Sequence, residues 1–349
     1  VLRFTFHLLS FIFHLYRTSK ESDVRIVVTG SLAYDYLMTF PGYFKDHILA
    51  DKTHTLTVSF LVDSMSRRRG GVAGNIAYTL ALLGERPLVV ATAGQDFSEY
   101  RAWMNTQGVD SSGIAIIDDE FTASCFFNTD VANNQIVAFY PGAMTQSKNL
   151  SLDDFNLGSD DLVIVSPTDP DAMLRYTDDC RRLGVPFLFD PGKQTPRLTG
   201  EQILAGMRGA RVLVGNDYEF AMMAQATGRS EEELIASAPL TVVTRGEQGS
   251  TIYTTATNGS GIDIPVAPIS DMLDPTGAGD AYLAGLVFGL ARNFSLDVAG
   301  RIAALSAAYV IEQRGCQEHR FTIDEFADRY TSAFGSAPEI DVLRTMAPR

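Results

Sequence analysis

Short, continuous apolar runs alternate with amphipathic segments along most of the chain, and this rhythm is the strongest constraint on what it can fold into. RIVVTG, PLVVATAG, DLVIVSP, VPFLFDP, ARVLVGN and LTVVTRG read as strands that are apolar on both faces. Between them NIAYTLALLG, a segment around Trp103, DAMLRYTDDCRRLG and DYEFAMMAQATG carry helical periodicity. A strand that is apolar on both faces needs cover on both faces, and helical crossovers between parallel strands supply it. The expected fold is therefore α/β, a mostly parallel central sheet flanked by helices on both faces. Two β-rich stretches break the rhythm, THTLTVSFLVD (53–63) and TASCFFNTDVANNQIVAFYPG (122–142), the second with a turn-like VANN between its halves. These are expected to form a small β-sheet flap, with strands from about 35–66 and 121–142. Segments 278–292 and 295–313 read as long helices with no strand between them.

Composition narrows the function classes. The 349 residues are 46% hydrophobic, enough for a large core, and the net charge of −14 repels a phosphate backbone, so no nucleic-acid partner is expected. Three cysteines (Cys125, Cys180, Cys316) lie far apart without a CxxC pair, which excludes a disulfide scaffold or structural zinc and suits a reduced, cytoplasmic protein. Residues 1–16 are rich in Phe and Leu, but Arg3, His7 and His14 interrupt a run too short to span a bilayer, and no small-x-small cleavage site follows. No membrane partner is expected. Residues 1–23 are expected to be an extension outside a single domain over 24–335, with 336–349 as a tail.

Two motifs carry chemistry. DPTGAGDAYLAGLVFGL starts at Asp274; Thr276, Gly277, Ala278 and Gly279 are small, so backbone can approach a ligand, and an apolar helix follows at once. The free N–H groups of its first turn, with the helix dipole behind them, form a ready anion site for charge on a transferring phosphoryl group. Asp280 in that turn either complements the dipole or takes a proton from an attacking hydroxyl. Far upstream lies GGVAGNIAYTLALLG (70–84), where Gly70, Gly71 and Gly74 allow tight turning. Asn75 stands at the mouth of a helix, where its amide can cap the helix or bond a ligand hydroxyl.

Together these segments resemble both signatures of the ribokinase-like, or PfkB-type, family of carbohydrate and nucleoside kinases, over roughly residues 24–335. VTGSLAYDYLMTFPG, SFLVDSMSRRRGGVAGN, DVANNQIVAFYPGAM and NDYE are similar to the dimeric bacterial adenosine kinases within it. The resemblance implies a ribokinase-like fold and transfer of phosphate from ATP with Mg2+ to the 5′-hydroxyl of adenosine in purine salvage. Asp280 would be the base, and Gly277, Ala278 and Gly279 the anion hole. Ser31, Asp35, Gly71, Asn75, Gln194 and Arg197 would hold the sugar or the reacting groups, and Phe139 would stack on the purine. Asn216, Thr244, Gly246 and Gly249 would line the ATP site, together with Gly277 and Gly279. Glu219 would meet magnesium through water, and Asp274 and Thr276 would be the place for a monovalent cation such as K+. Asn216 and Glu219, three residues apart, also read as a helix cap with its acidic partner. A small-molecule acceptor and a homodimer formed through the flap are the implied partners.

Two departures bear on the acceptor. Cys125 stands where the adenosine kinases place a second purine-stacking ring, and Phe126 next to it faces the other side of a strand. Lys193 and Gln194 stand where those enzymes carry paired glutamines. A kinase of a free sugar (ribose or fructose) or of another nucleoside is the first alternative. A catalytically silent nucleoside or sugar sensor on the same fold is the second.

Overall fold

The computed structural model describes residues 24–48, 57–255 and 260–345. The expected N-terminal extension, residues 53–56 of the expected flap strand and the last four residues of the expected tail lie outside the described residues. In chain order the strands are β1 (Ile26–Thr29), β2 (Ala33–Thr39), β3 (Ser64–Gly70), β4 (Leu88–Gly94), β5 (Ile114–Ile117), β6 (Ala123–Thr129), β7 (Gln135–Tyr140), β8 (Leu162–Val165), β9 (Phe187–Phe189), β10 (Val212–Asn216), β11 (Leu240–Thr244), β12 (Ser250–Thr254) and β13 (Gly261–Ile264). The helices are α1 (Val72–Leu82), α2 (Ser98–Thr106), α3 (Pro170–Leu183), α4 (Gly200–Met207), α5 (Asp217–Thr227), α6 (Glu231–Ile235), α7 (Ala278–Ala291), α8 (Leu296–Ile311), α9 (Ile323–Phe334) and α10 (Pro338–Thr345).

The main sheet has nine strands in the order β13-β12-β11-β10-β9-β8-β1-β4-β5, parallel from β11 to β5, with β12 and β13 antiparallel at one edge. Its strands are apolar on both sides because each side feeds a different core. Val28, Ile164, Leu188, Val214 and Val242 pack under one helical layer, while Val27, Val163, Val165, Phe187, Phe189 and Leu213 pack under the other. From β1 the chain builds toward β4 and β5 on one side and toward β8 to β11 on the other. That reversal opens a crevice at the carboxyl ends of β1 and β8, where ligands bind in open α/β sheets.

A separate four-stranded sheet, β3-β2-β6-β7, forms the expected flap, with β2 and β6 parallel and the outer pairs antiparallel. Its second strand is 64–70, not the expected 53–63. The apolar TVSFLV drew the reading to the wrong segment; described residues 57–62 join no ladder, and Phe60 packs on Phe40 and Phe44 instead. SMSRRRG pairs with all of β2 because its arginines have flat partners: Arg67 lies 4.6 Å over the Tyr34 ring and Arg69 4.1 Å over Trp103. The segment read as a tail also differs from expectation. It holds α10, which buries Ile340 and Leu343 in the main core and pairs Arg344 with Asp328.

The long helices α7 and α8 approach closely along small residues. A Cβ on Gly285 would stand 2.7 Å from Ala303 Cα, and one on Gly289 would stand 2.6 Å from Ala299 Cβ. Overpacking there is expected to be severe: Gly285→Val should lower unfolding stability by at least about 2 kcal/mol, read by chemical denaturation, with Gly279→Ala, facing open space, as the mild control.

Candidate active site

Residues from both motifs converge on the crevice. Gly71 has φ +87°, and a Cβ there would stand 2.6 Å from Leu32 Cα, so only glycine lets the flap strand turn into α1. Gly70 is confined by a side chain instead: a Cβ would stand 2.5 Å from Asp35 Oδ2, so a larger residue there would push that carboxylate aside. Ser31 begins the loop after β1 and caps α1: its Oγ accepts the Val72 N–H (3.1 Å) and its carbonyl the Ala73 N–H (3.0 Å). Asn75, almost fully buried, does not cap the helix. Its Nδ2 donates to Asp280 Oδ2 at 2.7 Å and so joins the two motifs.

At the start of α7, Gly277 adopts φ +84°, and a Cβ would stand 2.9 Å from Cys316. Gly279 faces open space. The Ala278 N–H already donates to the Pro275 carbonyl (3.2 Å), which leaves Gly277 and Gly279 as the more available N–H donors of the expected anion hole. Asp274 accepts from the Thr276 N–H (2.9 Å) and the Gly315 N–H (3.2 Å), binding this loop to the segment beyond α8.

Acidic groups crowd the floor. Burial pushes Asp280 up to about 6; the Asn75 hydrogen bond and Lys193 oppose that, and Glu219 and Asp35 add to it. Asp35 rises to about 6 for the same first reason, with Lys193 opposing and Asp274 adding. Asp190, just beyond β9, is held well above the ordinary carboxylate range by burial and by the charges of Glu219 and Asp280. Burial also raises Glu219 against its hydrogen bonds to Asn216. Lys193, one of the two departures, therefore acts toward the cleft: its charge is felt at Asp35, Asp280, Glu219 and Cys125.

The remaining expected residues occupy the rim. Asn216 and Glu219 form a reciprocal capping box, Glu219 N–H to Asn216 Oδ1 at 2.7 Å and Asn216 N–H to Glu219 Oε2 at 2.9 Å. Asn216 pairs with Thr244 at the neighbouring strand end, and Gly246 opens the next turn with φ +54° and nothing near its Cβ direction. Gly249 is a close-approach glycine, its Cβ direction 2.2 Å from the Ile264 carbonyl oxygen, so it shapes the turn into β12. Gln194 is buried and accepts from exposed Arg197 (3.3 Å) in a 3₁₀ turn over Gly192–Arg197. On the flap, Asp35, Cys125 and Phe139 are cross-strand neighbours in one row, with Phe139 half-exposed. Phe126 lies on the other face and stacks on Tyr36 at 4.8 Å, so no ring replaces the one absent at Cys125.

Two residues of this region were not read from the sequence. Asp190 lies just past the end of β9 as Asn216 stands at the end of β10, a placement the strand rhythm could have exposed. Gln317, hydrogen-bonded to Asn75, sits in no local pattern.

The architecture and the joined motifs agree with comparison to known proteins. The model of the pfkB family of carbohydrate kinases matches residues 32–322. The chain belongs to this family. A nucleoside kinase of Methanothermobacter thermautotrophicus is 30% identical over 92% of the chain and 100% of its own length. Among solved structures, a nucleoside kinase of Burkholderia thailandensis in complex with inosine is 37% identical with TM-score 0.79, covering 90% of this chain and 99% of its own. A nucleoside kinase of Methanocaldococcus jannaschii is 27% identical with TM-score 0.78, covering 88% and 98%.

For this pfkB-family kinase the crowded carboxylates carry a stability cost with a definite sign. A carboxyl raised in the folded state carries no penalty below its unfolded pKa; the penalty grows as pH rises from the unfolded pKa to the folded one and is constant above it. Asp190→Asn is therefore expected to raise the melting temperature near neutral pH and to leave it unchanged below about pH 4. A lower melting temperature at neutral pH would show that Asp190 is compensated.

Proposed function

We propose that the chain transfers the terminal phosphate of ATP, with magnesium, to the 5′-hydroxyl of a purine nucleoside, adenosine being the first acceptor to test. The observation that carries this reading is the 2.7 Å Asn75–Asp280 bond beside the glycine-built N-terminus of α7. It puts a carboxylate that ionises near neutral pH next to backbone donors suited to a phosphoryl group. Asp280 takes the proton of the acceptor hydroxyl. The N–H groups of Gly277 and Gly279, with the dipole of α7, stabilise charge on the transferring group, and Ala278 completes the turn. Asp35, Gly71 and Asn75 hold the sugar, Phe139 covers the base, and Gln194 and Arg197 stand on the phosphate side. Ser31 holds α1 in place, and its hydroxyl still has a proton to donate. On the donor side Asn216, Thr244 and Gly246 line the nucleotide edge, and Gly249 shapes the turn behind them.

The acidic floor fits a hard dication: the donors are oxygens, and Asp190 and Glu219, raised first by burial, would be eased by a nearby positive charge. Among the described residues no group of three His, Cys, Asp or Glu is close enough to hold a metal directly, which supports contact from Glu219 through water. Magnesium supplies neutralisation of phosphate charge when bound. Asp274 accepts one N–H on each oxygen and keeps a lone pair on both, so a monovalent cation such as K+ beside Asp274 and Thr276 stays in the proposal.

Cys125 and Lys193 favour a second reading, a kinase that accepts several nucleosides. One face of the base pocket lacks its ring, and the Burkholderia relative binds inosine. Adenosine and inosine are both expected to drive ADP release within about tenfold of each other, with ribose and fructose at least about a hundredfold slower. A free sugar turning over faster would defeat the purine assignment, and binding without turnover would leave the silent sensor. Asp280→Asn is expected to lower kcat by about a thousandfold or more. In the parent, kcat should fall about tenfold per pH unit below about pH 6, because the base works only when ionised.

We also propose a homodimer through the flap, whose Ile136 and Val137 are exposed on β7. Light scattering at micromolar concentration should give twice the chain mass; a monomer mass overturns it. Among the described residues no helix is long and apolar enough to cross a membrane. Work in the reduced cytoplasm suits the three free cysteines.

A further inference from the structure

Beneath Asn75 lies a hydrogen-bonded chain that links the two motifs through Gln317 and Tyr100, which belong to neither. Gln317, fully buried in the segment beyond α8, places Nε2 2.8 Å from Asn75 Oδ1 and 2.5 Å from the Tyr100 hydroxyl. The Tyr100 hydroxyl lies 2.9 Å from the Gly70 carbonyl oxygen, and Asn75 Nδ2 lies 2.7 Å from Asp280 Oδ2.

The polarity of the whole chain follows from its far end. A backbone carbonyl can only accept, so the Tyr100 proton goes to Gly70. The Tyr100 oxygen must then accept, which turns the NH2 side of the Gln317 amide toward it. The second hydrogen of that NH2 reaches Asn75, whose oxygen must face it. Asn75 is thereby obliged to present its own NH2 to Asp280. Each amide could be reversed without changing shape, but reversal would set Asn75 Oδ1 against a carboxylate or leave the Gly70 carbonyl without this donor. Gln317 Oε1 is itself buried without a partner, so its two donated bonds, and not its oxygen, set its orientation.

We propose that Gln317, oriented by Tyr100, is a positioning residue that fixes the donor polarity of Asn75 and so keeps Asp280 aligned to accept the substrate proton. This rests on Asp280 being the base. The surroundings of Asp280 make the donor matter. Asp35 from β2 and Glu219 from α5 bear on it with negative charge, its own charge is felt at buried Asp190 beyond β9, and the buried Cys316 thiol lies beside the same loop. Lys193 is the cation that acts on it, and Asn75 is its hydrogen-bond donor. Asn75 cannot serve as that donor if its amide is turned.

Gln317→Glu keeps the shape and inverts the polarity, since a carboxylate accepts from both Tyr100 and Asn75. It is expected to lower kcat by about fiftyfold or more and to move the acidic limb of kcat upward in pH. ADP affinity, read by calorimetry, should stay within about twofold. A role in packing alone would lower the melting temperature of Gln317→Glu while leaving kcat per folded molecule within about threefold of the parent with an unmoved acidic limb, and that result overturns the inference. If Gln317→Glu does not fold, Tyr100→Phe decides: about a tenfold loss of kcat with ADP binding intact supports the relay, and an unchanged kcat overturns it. Asp280→Asn separates the two readings. Retained turnover in that variant removes the base assignment itself, whereas loss there with normal Gln317→Glu kinetics removes only the relay.

Discussion

The cleft depends on two helices held side by side and pointing the same way. α1 and α7 are joined at their N-terminal ends by the Asn75–Asp280 hydrogen bond and just past their C-terminal ends by the Glu85–Arg292 ion pair, whose side chains are 3% and 5% exposed. The two pairs have nearly the same separation in sequence, so the helices are parallel and in register from one end to the other. Both positive dipole ends therefore face the crevice, which favours negative charge there. A buried ion pair contributes little net stability over an apolar pair, but losing one partner costs about 3–5 kcal/mol. At this position it acts as a latch that sets how the helices lie against each other, and hence how far apart the residues proposed for the sugar and phosphate sides stand.

Against those dipoles stands the crowding of Asp35, Asp190, Glu219 and Asp280. Desolvation is the first cause of the rise at each of them, and their mutual repulsion adds at Asp190 and Asp280. A site of this kind is poorly satisfied by its own protein. On the proposed function its charges are compensated by partners that arrive with the substrates, and the uncompensated state is the one the isolated chain must carry. Lys193 relieves part of the repulsion at Asp35, Asp280 and Glu219 alike, since it acts on each as a lowering charge.

Much of this could be seen in the residues, and the rest was hidden for identifiable reasons. Gly71 and Gly277 announce themselves, because a backbone at φ above +80° tolerates little else, and the Asn216–Glu219 box is a local three-residue pattern. The two-sided apolar strands disclosed the sheet because helices cover both faces. Position β3 was misjudged because three consecutive arginines look like a solvated loop until Tyr34 and Trp103 are known to lie beneath two of them. Residues 338–345 look like a polar end, yet Ile340 and Leu343, three apart, are enough to seat one helical face in the core. Gln317 could not be read at all: its partners Asn75 and Tyr100 lie more than 200 residues away, and a buried glutamine has no periodicity to betray it.

The proposed anion hole is made of backbone, and that constrains how the rest of the chain must be built. Among the ordinary residues only proline would delete the Gly277 or Gly279 N–H, so the proposed site answers to displacement more than to local side-chain chemistry. Displacement is governed from a distance. The Gly285 and Gly289 contacts with Ala303 and Ala299 set the depth of α7 against α8, Cys316 closes on Gly277 from beneath, and Asp274 ties the loop before α7 to Gly315. Because interiors are close-packed, a shift at any of these contacts passes along α7 to its first turn. The small residues along α7 and the segment beyond α8 thus belong to the chemistry as much as the motif itself, and they act through position alone.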